Sequence, residues 1–364
     1  MSQPSFMPGL ALSAAFYREA VRPLLAEHFP DLSHAAALVG WGSDVVGYDD
    51  AQSTDHFWGP RCYIFLSEPA RVQYAEKIGK LLDAQLPYTF RGHSTNFEGE
   101  YEGDVRRMKP RTSGPVEHQV YCESVQHFCH WYLGCDPLAE MGVADWLTCS
   151  EHKLLGVTSG AVFQDELGEL TEARRRLSYY PHDVWLCLMA AQWLKLSEEE
   201  AFVGRCGQFG DELGSAVIAA RQVKNLMRLC FLIERKYAPY SKWFGTGFAR
   251  LDCAAELSPA LKHTLHAETW AVREEHLAQA YEAVARRFNA LGVTPPLAPE
   301  TRNYYERPFR VLHAERFAEA TWAAIGDERL RQVQFRKGSV NQWVDSDNSV
   351  SNVGFTQRLK SLYE

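Results

Sequence analysis

Gly42-Ser43 is followed by a spaced series of carboxylates, Asp44, Asp49, Asp50 and Asp55, with His56 beside the last of them. This combination suits phosphate chemistry. A glycine lets the backbone approach an anion closely, and the Ser43 hydroxyl, with the free N–H groups of a following turn, can bond phosphate oxygens. Asp55, twelve residues after Ser43, is the expected metal ligand, with Asp50 as a second. Mg²⁺ at such a place would take oxygen ligands, keep some water and bridge protein to nucleotide phosphate. His56 is a neighbouring group that can assist ligation or act as a base. The plainer role for each acid is a turn or cap residue that satisfies local N–H groups.

Short elements must position these residues. Ala35 to Gly40 is an apolar run suited to a buried strand that delivers the Gly42-Ser43 turn. Before it, Leu10, Leu12, Ala15, Phe16, Val21, Leu24 and Leu25 recur at helical spacing over residues 9 to 28. Cys62 to Leu66 reads as a second strand, and Pro69 to Leu86 as a helix with proline in its first turn. Tyr88 to Arg91 is a short strand, and Gly92 to Pro115 a long loop. Val116 to Val125 alternates as a strand, which places Tyr121 and Glu123 on one face about 7 Å apart.

Gly-Ser, a spacer and then Ser53-Thr54-Asp55-His56 resemble the signature of the nucleotidyltransferase superfamily. The wider stretch from Gly42 to Arg61 resembles a large bacterial group of nucleotidyltransferase-like proteins known as DUF4037, a domain of unknown function. Phe202-Val203-Gly204-Arg205 and the stretch from Arg235 to Thr246 are further points of likeness. The resemblance implies Mg²⁺ as cofactor and ATP or another nucleoside triphosphate as substrate. It also implies two more acids beside Asp55. The first of those places holds Phe57, and the second aligns with Tyr121. Glu123 is the nearest substitute for the missing carboxylate, so Asp55, Glu123 and His56 form the expected catalytic set.

From Asp136 to about residue 290 the pattern reads as helical throughout. Arg221, Lys224 and Arg228 share one helix face, either as a solvated stripe or as a row that neutralises a triphosphate. Tyr240 and Lys242 lie in a Tyr/Trp/Lys cluster suited to base stacking and phosphate contact, or to an aromatic helix corner. Gly42, Ser43, Arg221, Lys224, Tyr240 and Lys242 are thus the expected nucleotide-binding residues, and Glu234 a candidate for the acceptor. Gly204 to Glu212 has the look of a glycine loop, but it completes no dinucleotide or phosphate-loop fingerprint. Gly292 to Pro299 breaks the helical pattern, Ala314 to Ala324 suits one more helix, and Gly338 to Ser351 is polar and rich in turns.

At 364 residues, with 46% hydrophobic content, the chain exceeds a usual single core and two domains are expected. No apolar run approaches the roughly 20 residues needed to cross a bilayer, and Met1-Ser2-Gln3-Pro4 lacks a basic signal start, which points to a cytoplasmic protein with no membrane partner. Nine cysteines, an odd number, suit reduced thiols. The series His118, Cys122, His127, Cys129, His130, Cys135 matches no standard zinc spacing. A net charge of -8 disfavours a long nucleic acid as partner. The expected fold is α+β: a nucleotidyltransferase-like mixed-sheet domain over 1–135, an all-α domain over 136–291, and a linker, helix and C-terminal tail packing back on the body over 292–364. The expected function is transfer of a nucleotidyl group from ATP or another triphosphate to a hydroxyl or amine of an unidentified small-molecule acceptor. The alternative is a nucleotide-binding regulatory protein or pseudoenzyme without transferase turnover.

Overall fold

A computed structural model describes residues 6–99 and 106–364. The chain divides into two compact units, one built from residues up to Met141 with Lys153–Ser178, the other from Gly142–His152 with Tyr179–Glu364. The class is α+β, with a mixed sheet in the first unit and helices dominating the second.

The first unit opens with helix α1 (Gly9–Phe16), a π turn (Tyr17–Val21) and helix α2 (Arg22–His28). Strand β1 (Ala35–Leu38) follows, every residue buried, and then β2 (Arg61–Phe65), also wholly buried. Helix α3 (Glu68–Gln85) carries Pro69 in its first turn, where a missing N–H has no consequence. Two short antiparallel strand pairs come next: β3 (Thr89–Phe90) with β4 (His93–Ser94), and β5 (Phe97–Gly99) with β6 (Arg106–Met108). The expected loop from 92 to 115 therefore holds short strands on either side of residues 100–105, which lie outside those described. Strand β7 (Gln119–Glu123) leads to helix α4 (Val125–Leu133), which Ser124 caps and Gly134 ends in a left-handed conformation.

The sheet runs β7-β2-β1-β8, where β8 is Ala161–Asp165. β1 pairs antiparallel with β2 and β8, and β2 pairs parallel with β7 from Arg61↔Gln119 to Phe65↔Glu123. Residues 136 to 290 are thus not helical throughout: β8 interrupts them and closes an edge of the sheet. Its sequence AVFQD is only partly buried along its length, so an isolated apolar pattern too short to exclude helix was its sole signal. Leu12, Phe16, Ile78 and Leu82 bury one sheet face against Ala36, Cys62 and Ile64. On the other face Phe128 of α4 packs on Tyr63 and Phe65, with ring centroids 5.0 and 5.5 Å away.

In the second unit the long helices are His182–Ser197, Glu212–Ile233 and Trp270–Ala290. Residues 292–364 fall within this unit. They contain the hairpin β9 (Arg302–Tyr304) and β10 (Arg307–Val311), which the sequence pattern did not suggest, and the expected helix at Glu315–Ala323. Phe317 of that helix stacks on Trp193, centroids 4.7 Å apart. Among the described residues no helix is long and apolar enough to cross a membrane.

Candidate functional site

The Gly42-Ser43 turn is built around a buried ion pair. Arg61, the first residue of β2, donates from Nη2 to Asp44 Oδ1 at 2.6 Å and to the Trp41 carbonyl at 2.8 Å. Both side chains are almost wholly shielded, 6% and 0% exposed. Burial pushes the Asp44 carboxyl up while Arg61 and the Val45 N–H pull it down. Gly42 has φ +125°, and a Cβ there would meet Asp44 Oδ1 at 2.2 Å and Arg61 Nη2 at 2.3 Å. Its glycine is therefore required by the ion pair as much as by any approaching anion. Gly9 plays a matching part from α1: a Cβ on it would lie 2.7 Å from Asp44 Cβ and 2.6 Å from Trp58 Nε1. Asp49 Oδ2 accepts from Gly9 N at 2.7 Å and from Trp58 Nε1 at 3.0 Å. Asp44 and Asp49 thus hold the turn to α1 and β2.

The remaining acids before β2 do not converge. Asp50 caps the 3₁₀ turn Ala51–Asp55, its Oδ1 accepting from Gln52 N and Ser53 N while Ser53 Oγ accepts from Asp50 N. This is the reciprocal cap of a turn, and it accounts for Asp50 without a metal. Asp55 pairs with His56 Nδ1 at 2.8 Å, and both side chains are about half exposed. Phe57 follows in the left-handed region, φ +48°, which is costly for a bulky side chain. Ser43, half-buried, offers its hydroxyl in the turn, and its carbonyl accepts from Tyr48 N at 2.8 Å.

Glu123 stands at the far end of the sheet. It pairs in register with Phe65, four residues beyond the Arg61↔Gln119 level, about 13 Å along the strand. Its Oε2 is 2.5 Å from His127 Nδ1, one turn into α4. Beside it Ser124 Oγ donates to Glu68 Oε2, and Arg71 with Ser124 holds the Glu68 carboxyl down at about 2. Glu123 therefore belongs to a polar cluster at the strand exit. Among the described residues no group of three or more His, Cys, Asp or Glu is placed to hold a metal ion, the His118-to-Cys135 series included. The carboxylates present do not fit a clustered Mg²⁺ site.

Aromatic rings occupy the face where acids were expected. Tyr121 is 38% exposed on β7 and lies 5.3 Å from Tyr63 in ring-centroid distance. The series continues through Phe128 and Tyr132 to Trp41, with neighbouring centroids 5.0 to 5.3 Å apart. Trp131, 58% exposed, borders it. The buried Lys153 ammonium sits 5.3 Å from the Trp41 ring and 5.2 Å from Tyr132. Neither Trp131 nor Lys153 was singled out by sequence. Arg61 carried a signal: a cation opening a buried strand after Gly59-Pro60 demands a partner.

The other expected nucleotide ligands belong to the second unit, each engaged there. Arg221 pairs with Glu199 at 2.9 Å and Lys224 with Asp345 at 2.7 Å, while Arg228 pairs with Glu151 at 2.6 Å. The row is an ion-paired helix face. Tyr240 meets His152 edge-on at 5.6 Å, and the Lys242 ammonium lies 5.0 Å from the Trp243 ring. Glu234 accepts from Asp252 N and Cys253 N, which accounts for it as a cap. Gly204 is in the helix Phe202–Gln208, where a Cβ would strike Phe309 at 2.4 Å, so the expected glycine loop is a packed helix followed by a turn.

Residues 146–244 match the family model of DUF4037, a domain of unknown function. The match includes Phe202 to Arg205 and Arg235 to Phe244; the stretch from Gly42 to Arg61 lies outside it. No curated protein matches the chain. Among solved structures the chain is similar to a nucleotidyltransferase-like protein from Exiguobacterium sibiricum, with 12% identity, 79% of this chain and 82% of that one covered, and a TM-score of 0.32.

Proposed function

We propose that this nucleotidyltransferase-like protein binds a nucleoside triphosphate on its first unit without two-metal nucleotidyl transfer. The observation that carries the reading is the replacement of the expected acids by rings: Phe57 and Tyr121 stand where the superfamily pattern has carboxylates, and Glu123 is bonded to His127 instead. Ser43 and the turn through Tyr48 supply a hydroxyl and backbone N–H groups for phosphate oxygens. Tyr121 and Trp131 supply exposed ring faces for a base, a contact worth roughly 1–3 kcal/mol per stacked base. Lys153, over Trp41 and Tyr132, adds positive charge to the same face.

Calorimetric titration with ATP and with inorganic triphosphate, each with and without Mg²⁺, tests this. ATP should bind in both conditions. Tyr121→Ala should weaken ATP by roughly five- to a hundredfold while leaving triphosphate unchanged, since only the stacked base is lost. Absence of ATP binding would overturn the reading. Pyrophosphate release with any hydroxyl or amine acceptor would restore the transferase in its place.

A further inference from the structure

Outside that face, the first unit carries a polar cavity. A pocket of about 460 Å³ opens between α2, the 29–34 connection and the end of β8, a volume within the range of small-ligand sites. It adjoins His34, which precedes β1, whereas the Gly42-Ser43 turn follows the other end of that strand. The four residues of β1 separate the two by roughly 13 Å.

The polar wall is firmly held. The Tyr17 hydroxyl lies 2.9 Å from His34 Nε2 and 3.0 Å from Gln164 Oε1. Glu166 accepts from His34 N at 3.2 Å and from Gln164 Nε2 at 2.7 Å. The helix above departs from α geometry at this point: the Arg22 N–H bonds to the Tyr17 carbonyl in the π turn, five residues back, which carries Arg22 toward the side of Tyr17. Such turns inside helices recur at functional sites. Arg22 and Asp31 both line the cavity and make no ion pair among the described residues. The cavity therefore presents a cation, Arg22, and two carboxylates, Asp31 and Glu166, with Leu25 and Phe29 as apolar lining.

We propose that this cavity binds a free amino acid, with preference for one bearing a second cationic group. Arg22 takes the ligand carboxylate, in the planar two-point geometry guanidinium groups favour. Glu166 and Asp31 take the ammonium groups, and the aliphatic part lies on Leu25 and Phe29. One cation and two anions on the wall match one anion and two cations on the ligand. This inference is independent of the nucleotide reading, since no residue is shared.

The test is calorimetric titration of the full chain with lysine, arginine, leucine and glutamate, and with lysine blocked as its methyl ester or its Nα-acetyl derivative. Lysine and arginine should bind at millimolar concentration or tighter, and either block should weaken lysine at least tenfold. Arg22→Met should weaken lysine tenfold or more yet leave its methyl ester unchanged, with the melting temperature retained because Arg22 is exposed. Asp31→Asn should weaken lysine more than leucine. No binding of any amino acid, glutamate binding as tightly as lysine, or undiminished binding of lysine by folded Arg22→Met would each overturn the proposal.

Discussion

The ion pair beneath the Gly42-Ser43 turn makes the sharpest prediction. Asp44 and Arg61 are 2.6 Å apart with side chains 0% and 6% exposed. Removing one partner of such a pair leaves an uncompensated buried charge, at a cost of roughly 3–5 kcal/mol. For a unit of this size that corresponds to a melting shift of roughly 6–20 °C. Arg61→Met and Asp44→Ala should both show it in thermal melts followed by circular dichroism. The two differ in pH dependence. In Arg61→Met the Asp44 carboxyl, already pushed up by burial, loses its main opposing influence and keeps its proton to higher pH in the folded chain. The unfolded chain releases that proton near the ordinary aspartate value, so the folded state holds more protons and the deficit deepens as pH rises above it. Asp44→Ala has no carboxyl there, and its deficit should lack this slope. The double variant Asp44→Leu/Arg61→Met should recover most of the loss, because apolar replacement of a buried pair is often neutral or better. Single variants that melt within about 3 °C of the parent, roughly 1 kcal/mol, would refute the idea that this pair holds the turn.

Gly42→Ala should be destabilised to a similar degree, since the new Cβ meets Asp44 Oδ1 at 2.2 Å; a parent-like melt would contradict the packing described. Asp55→Ala and His56→Ala, exposed, should change stability by about 0.5 kcal/mol or less and leave ATP affinity the same with and without Mg²⁺. Loss of Mg²⁺-dependent binding in Asp55→Ala would instead return Asp55 to a metal role. In the second unit burial pushes Glu200 and Glu274 up to about 7. Folding therefore retains their protons, and their contribution to stability, full below the ordinary glutamate value, is lost as pH rises through about 7. Glu274→Gln should flatten that decline in melts run across the interval, and an unchanged slope would count against Glu274 as a source.

The strands β1 and β2 and helix α3 were legible because their apolar runs and their flanking Gly and Pro residues speak locally. β8 and the hairpin β9–β10 were not. β8 is half-exposed and short, and its place as the partner of β1 depends on a pairing across more than a hundred residues, which local pattern does not encode. The return of the chain to the first unit at Lys153 was hidden for the same reason.

For the site, residue types alone identified Gly42, Ser43 and the acids around them as a turn of unusual chemistry, and placed the rings of Phe57 and Tyr121 where the resemblance implies carboxylates. Side-chain identity determines which groups can ligate or stack. Which of them meet is decided only by the fold. Asp44 proved to be half of a buried pair, Asp50 a cap and Glu123 the partner of His127. Gly42 is set by the space that Asp44 and Arg61 leave. Carboxylates close in sequence were separated because a strand advances about 3.3 Å per residue and a turn spends its acids on its own N–H groups.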